Sequence, residues 1–345
     1  MGRFLTTRWY VAAWPEEITR TLMPRTILDQ PVLLYRKLNG TPVAMIDRCP
    51  HRFAPLSLGR LVDDDVLECG YHGLRFNSEG KCVLNPHGDG TIPPVARVRR
   101  FPLVERHGLV WIWMGDPALA ERTNIPDLSF MGGPAYGYQT VHNYIHAKFA
   151  ADLLIDNLMD LSHAEFLHRG SFSSGYAPKS TMKVDDTGDT VTVDRTLFEI
   201  EIPPFMAPLF EAKGNTVDHW YIFTWVPPGV IKYEFGVTSP GDSRDSGARL
   251  YATHIATPES TEKTHYFASI SRNYELDNAA LDAHMRNMQY HPVATQDSPM
   301  LEAVQNRMSG NDFWSMRPVL LPVDAAPVKV RRIMERLLKE ELAIA

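Results

Sequence analysis

Cys49-Pro50-His51 and Cys69-Gly70-Tyr71-His72 supply two thiolates and two imidazoles as a Cys-x-His and a Cys-x-x-His unit, seventeen residues apart. Each unit places both ligands at the tip of one tight loop, and two such tips facing each other can clamp one small metal centre. Zinc would accept all four in a closed tetrahedral site. A mixed-ligand [2Fe–2S] cluster would take both cysteines on one iron and both histidines on the other. Zinc knuckles favour Cys-x-x-Cys units instead. Gly70 and Gly73 bracket Tyr71-His72, where they would let backbone N–H groups approach cluster sulfurs and help set the potential. The flanks therefore favour the cluster.

A second constellation lies in Asn157-Leu158-Met159-Asp160-Leu161-Ser162-His163-Ala164-Glu165-Phe166-Leu167-His168. His163 and His168 are five apart, which on an ideal helix turns them about 140° from each other. Metalloprotease helices use a spacing of four. For both rings to reach one metal the helix must bulge or end at the second histidine, and such bulges gather at functional sites. Asp160 sits one turn before His163, where its carboxylate could take a hydrogen bond from the imidazole and orient it. Asn157 lies one turn further back. Two histidines and a carboxylate form the facial site of non-haem Fe(II) oxygenases. The carboxylate must come from far down the chain, and Asp297 is the choice, with Glu302 the nearest rival.

The elements that position these residues fall in two halves. With 345 residues, 44% apolar and 22% charged, the chain is long enough for two globular domains. A net charge of −6 argues against a nucleic-acid role. No apolar run approaches the roughly eighteen residues of a membrane span. Met1-Gly2-Arg3-Phe4-Leu5 has no signal-peptide pattern. Three cysteines leave only Cys82 outside the motifs, so no disulfide framework exists and a cytoplasmic location is expected, with Cys82 a buried, inert thiol.

Residues 1–120 read as short strands and turns, including 32–36, 42–46, 66–68 and 109–114. Residues 121–345 mix strands at 190–193, 219–226, 230–238 and 249–256 with helices at 150–168, 278–307 (interrupted near His291-Pro292) and 328–342. Strands followed by helices, without strict alternation, predict an α+β second domain built as a helix-capped antiparallel sheet.

Asp47-Arg48 before the first motif and Arg52-Phe53-Ala54-Pro55-Leu56 after it resemble a Rieske domain of the ring-hydroxylating oxygenase type. Residues 156–163, Asp-Asn-Leu-Met-Asp-Leu-Ser-His, resemble the iron-site segment of Rieske non-haem iron monooxygenases. Within that family they are most similar to the vanillate O-demethylase, dicamba and toluenesulfonate group. Trp9-Tyr10-Val11-Ala12, residues 253–259 and Ser271-Arg272-Asn273 support the placement.

The resemblance implies an all-β Rieske domain followed by a StAR-related lipid-transfer-like catalytic domain. It implies one Rieske [2Fe–2S] cluster on Cys49, His51, Cys69 and His72, and one mononuclear Fe(II) on His163, His168 and Asp297. Asp160 would bridge His72 of one subunit to His163 of the next in a homotrimer, with Asn157 nearby. A flavin/iron-sulfur reductase would supply electrons from NAD(P)H, and O₂ and a small aromatic acid would be the substrates. Hydroxylation of a methoxy group would release formaldehyde; hydroxylation of a methyl group would give a benzylic alcohol.

His254, Tyr233 and Met288 fall near substrate-facing positions of the family, with Tyr144, Phe166 and Trp220 as further aromatic candidates. No cationic clamp for a carboxylate or sulfonate is legible. The alternatives are a ring dihydroxylase, a Rieske electron-transfer protein and a zinc-stabilised binding protein.

Overall fold

Short runs of β-branched and aromatic residues broken by glycine, proline and aspartate fold the first part of the chain into three small antiparallel sheets. In the computed structural model, which describes residues 4–168, 180–203, 206–207, 210, 214 and 216–344, the chain divides into two compact units. The first, Thr6–Ile125, carries β1 (Trp9–Ala13), β2 (Met23–Ile27), β3 (Gln30–Arg36), β4 (Pro42–Ile46), β5 (Arg60–Val62) and β6 (Val66–Glu68). They are followed by β7 (Arg75–Phe76), β8 (Cys82–Leu84), β9 (Arg100–Phe101), β10 (Leu103–Arg106) and β11 (Leu109–Trp113). The sheet orders are β1-β11-β10, β2-β3-β4-β9 and β5-β6-β7-β8. Cys49 and His51 lie between β4 and β5, and Cys69 and His72 between β6 and β7. The unit runs on to Ile125 because the 3₁₀ turn after β11 folds back: Asp116 caps it and Trp9 Nε1 donates to the Thr123 carbonyl at 3.0 Å.

The second unit is one seven-stranded antiparallel sheet of β12 (Gln139–Ala147), β13 (Ser180–Thr187), β14 (Thr190–Glu201), β15 (Thr216–Val226), β16 (Val230–Thr238), β17 (Ala248–Pro258) and β18 (Thr264–Arg272). From β13 to β18 it is a meander, and β12 is added beside β18 as the opposite edge. Its helices are α1 (Ala151–Met159), α2 (Ala164–Leu167), α3 (Ala279–Pro292), α4 (Ser298–Met308) and α5 (Ala325–Ile344). Leu154 and Leu158 of α1 join Trp225, Tyr266, Ile333 and Leu337 in a continuous buried core, so the apolar stripes of α1 and α5 are spent against the sheet. Arg331 of α5 holds Asp156 of α1 through Nε (3.0 and 2.9 Å) and Nη2 (2.5 Å), which fixes α1 from behind. No helix among the described residues is long and apolar enough to cross a membrane.

Two departures from the expected helices matter for the site. The stretch 150–168 is not one helix: α1 stops at Asp160, whose backbone is extended (φ −120°, ψ 105°), and a 3₁₀ turn (Leu161–His163) leads into α2. The stretch 278–307 is interrupted after Pro292 as expected, but it is not cut. It continues through a wide π turn, Val293–Asp297, into α4. Pro292 and Pro299 bracket that turn, and neither has an N–H to donate to a regular helical ladder.

His219 on β15 is fully buried, with its ring Nδ1 donating to the Gly236 carbonyl at 2.7 Å. Burial pushes its pKa down to about 4. A folded-state pKa below the unfolded value of 6.5 means that the unfolded chain takes up the proton first as pH falls. This part of the stability is therefore complete above pH 6.5 and lost on going down towards pH 4. The expected loss by pH 5 is about 2 kcal/mol. Urea unfolding at pH 7.5 and pH 5 should show a smaller difference for His219→Gln than for the native chain; equal differences would remove His219 as the cause.

Candidate metal centres

The two motif loops of the first unit are built alike. Cys49 N–H donates to Ala54 O (2.8 Å) and Phe53 N–H to Cys49 O (3.0 Å); Cys69 N–H donates to Leu74 O (2.8 Å) and Gly73 N–H to Cys69 O (3.0 Å). The fourth residue after each cysteine is left-handed, Phe53 at φ 60° and Gly73 at φ 70°. Glycine also lets the loops approach: a side chain on Gly59 would lie 2.1 Å from the Glu68 carbonyl, and one on Gly70 2.7 Å from that of Leu58. The Asp47 carboxylate ties down the end of the first loop, accepting from Ser57 N–H (2.7 Å) and Oγ (2.6 Å).

The cysteines are paired inside and the histidines outside. Cys49 and Cys69 are buried side by side. Burial pushes the Cys49 thiol up to about 11; the His51 backbone opposes this and the Cys69 thiol adds to it. His51 and His72 meet with ring centroids 4.5 Å apart at 67°. Ligand atoms around one tetrahedral zinc would sit about 3.3–3.8 Å apart. Among the described residues, three ligand atoms come within 4.8 Å of one another at two places, and these loops are at neither. Two thiols on one side and two imidazoles on the other, too spread for one ion, fit a two-iron cluster.

One of those two places is in the second unit. His168 Nε2 lies 3.2 Å and His163 Nε2 3.6 Å from Asp297 Oδ1, with the two rings 5.2 Å apart. The extended Asp160 resets the helical phase before His163, and His168 caps the end of α2, so residues five apart converge. Asp297 arrives on the last residue of the π turn. Each imidazole is oriented through Nδ1, His168 by Gln296 Oε1 at 2.6 Å and His163 by the Asp160 carbonyl at 2.5 Å. Both Nε2 lone pairs are thereby directed at one point, the arrangement that metal-ligating histidines need. Asn157 Nδ2 donates to Asp297 Oδ1 at 3.2 Å.

The Asp160 carboxylate does not orient His163 as the spacing suggested. It accepts from Ser162 N–H (2.8 Å) and Oγ (2.9 Å), while the backbone carbonyl serves the imidazole, because the extended residue turns its C=O towards the ring. Glu302 lies on α4, outside the cluster.

A cavity of about 170 Å³ opens on this trio, its walls mainly apolar. His254, Tyr233 and Met288 all line it. Burial pushes His254 down to about 3, so its ring is neutral, and Tyr266 Oη hydrogen-bonds its Nδ1. The Tyr233 hydroxyl donates to the Leu158 carbonyl at 2.6 Å, and burial raises its pKa. The other aromatic candidates lie elsewhere: Tyr144 bonds His265, Phe166 is 73% exposed, and Trp220 Nε1 donates to Glu234 beneath the Arg244 guanidinium. Sequence inspection missed Arg195, Tyr221 and Gln289 in the cavity wall. Arg195 is half-buried and has no hydrogen bond or ion pair among the described residues. Its place on β14, which presents alternate residues to the two sheet faces, is the signal that could have found it.

A cluster-binding loop pair on an all-β unit and a two-histidine, one-carboxylate site on a helix-capped sheet together define the oxygenase component of a Rieske monooxygenase. Residues 8–102 match the Rieske [2Fe-2S] domain, and residues 148–340 match the vanillate O-demethylase oxygenase C-terminal domain. The chain belongs to the Rieske non-haem iron oxygenases of the vanillate O-demethylase type.

It is 39% identical to the dicamba O-demethylase oxygenase component of Stenotrophomonas maltophilia, covering 99% of each chain. It is 37% identical to the chloroacetanilide N-alkylformylase oxygenase component of Rhizorhabdus wittichii, covering 98% of this chain and 97% of that one. The crystal structure of dicamba monooxygenase bound to 3,6-dichlorosalicylic acid superposes with a TM-score of 0.91 at 38% identity over 99% of both chains. The chain is thus an oxidoreductase that carries a Rieske cluster and a mononuclear iron and works with a separate reductase.

Asp297→Ala should lose the mononuclear iron, about one third of the iron in the loaded chain, and keep the visible spectrum of the cluster. Iron analysis showing full occupancy in this variant would move the third ligand to another residue, with Glu302 tested next.

Proposed function

We propose that this oxygenase hydroxylates a methyl or methoxy carbon of a single-ring aromatic acid, with electrons drawn from NAD(P)H through a flavin/iron-sulfur reductase. The observation that carries this reading is the apolar cavity opening on His163, His168 and Asp297, with Arg195, which has no ion pair among the described residues, in its wall. An apolar cavity of about 150 Å³ accommodates benzene, so a space of about 170 Å³ suits one substituted ring. The His254 imidazole is neutral and the Tyr233 hydroxyl is committed to a carbonyl, so a carboxylate or sulfonate would pair with Arg195. Glu165 lines the same cavity and disfavours an anion on its own side.

Cys49, Cys69, His51 and His72 would hold the cluster, and His163, His168 and Asp297 the iron. When bound, these groups supply electron transfer and O₂ activation beside the substrate carbon. Asn157 keeps the Asp297 carboxylate in position through its hydrogen bond. The Asp160 carbonyl fixes the His163 ring, and its carboxylate, held by Ser162, is the group left to meet His72 of the partner subunit in a homotrimer.

A second reading, oxidative N-dealkylation of a neutral anilide, is favoured by the mainly apolar wall and by the N-alkylformylase relative. Iron-loaded protein with a surrogate reductase and NADH separates the two on a panel of methoxy- and methyl-arene acids and neutral N-alkyl anilides. Formaldehyde with a phenol, or a benzylic alcohol, from the acids supports the proposal. Turnover of the neutral compounds alone overturns it. Hydrogen bonds to a charged group are worth about 1.5–3 kcal/mol, or about 10- to 150-fold. Arg195→Leu should therefore raise KM for the acids by that factor and leave neutral arenes unchanged.

Asp160→Asn should keep both metal centres and lose turnover. A variant that consumes NADH and forms product at the native ratio and rate would exclude Asp160 from the link between subunits.

A further inference from the structure

We propose that His146, Glu259 and His265 form a second metal site, separate from the iron pocket, that takes one zinc ion. His146 on β12 and His265 on β18 are direct cross-strand partners, and their rings stack 5.4 Å apart at 18°. Glu259 is the first residue after β17. Its Oε2 is hydrogen-bonded by His146 Nε2 and lies 3.9 Å from His265 Nε2. The three ligand atoms all lie within 4.8 Å of one another, the second of the two such groups among the described residues. None of the three residues lines the iron cavity.

Several features favour a metal over a simple hydrogen-bonded cluster. Two imidazoles facing one carboxylate oxygen is a donor set that zinc accepts with three protein ligands, water completing the tetrahedron. The surroundings hold it ready. The Tyr144 hydroxyl hydrogen-bonds His265 Nδ1 at 2.8 Å, which fixes a ring only 4% exposed and turns its Nε2 to the carboxylate. Lys263 Nζ lies 3.7 Å from Oε1, the other oxygen of the Glu259 carboxylate. The half-exposed His146 side chain, at 49%, leaves a path for an ion to enter. A metal there would cross-link the edge strand β12 to the β17–β18 turn, and so brace the strand that leads into α1.

The test uses the tag-free chain with cluster and iron loaded, incubated with Zn²⁺, desalted and analysed for zinc and iron by mass spectrometry. The expected result is about one zinc per chain with iron unchanged, falling to background in His146→Ala and in Glu259→Gln. His146→Ala changes a solvent-accessible side chain, so its folding is checked by an unaltered cluster spectrum. No zinc retained by the native chain would overturn the proposal. So would equal retention by both variants, or zinc uptake matched by iron loss, which would place the ion at His163, His168 and Asp297.

Discussion

A helix of about 3.6 residues per turn cannot aim side chains five apart at one atom, and the second unit is organised around escaping that limit. Two helices give up their regularity at the same place. One breaks at the extended Asp160 and ends at His168, and the other widens between Pro292 and Pro299 to present Asp297. Each interruption forfeits backbone hydrogen bonds worth about 1 kcal/mol apiece. The seven-stranded sheet and the Arg331–Asp156 pair offset the loss by fixing α1 from both sides. The carbonyl that Asp160 withdraws from the helix is the one that orients His163, so the break itself supplies part of the site.

The cluster loops solve a different problem with a repeated device. Both close with the same pair of backbone hydrogen bonds around a cysteine, and both turn through a left-handed residue. Gly59 and Gly70 let the carbonyls of Glu68 and Leu58 approach where any side chain would collide. The outcome is asymmetric in solvent, with thiols inside and imidazoles towards the surface. That suits a centre that holds its sulfur ligands away from water.

Much of this could be read from residue types and spacing, because the ligands of each loop are local in the chain. Gly70 and Gly73 were legible as special, yet their visible roles are a close backbone approach and a left-handed turn. Asp297 could be preferred over Glu302 only with help from family resemblance, since the choice depends on a π turn that periodicity does not announce. The strands β12 and β13 escaped notice: Gln139–Ala147 mixes polar and apolar residues on an edge, and Ser180–Thr187 is mostly exposed. Arg195 was not legible as a cavity residue because its place in the wall comes from the sheet face it occupies. The Asp160 carboxylate was assigned the carbonyl's task because side-chain spacing carries no information about an extended backbone.

The wide turn at Val293–Asp297 has a consequence for how such a site is gained or lost. A π turn holds one residue more than the α-helical turn it replaces. Deleting a single codon within it would restore an unbroken helix and swing Asp297 by about 100° around the axis. The rest of α4, buried Leu301 included, would turn with it. Iron ligation in this fold can therefore be lost through one small in-frame deletion that leaves all three ligand residues in the chain.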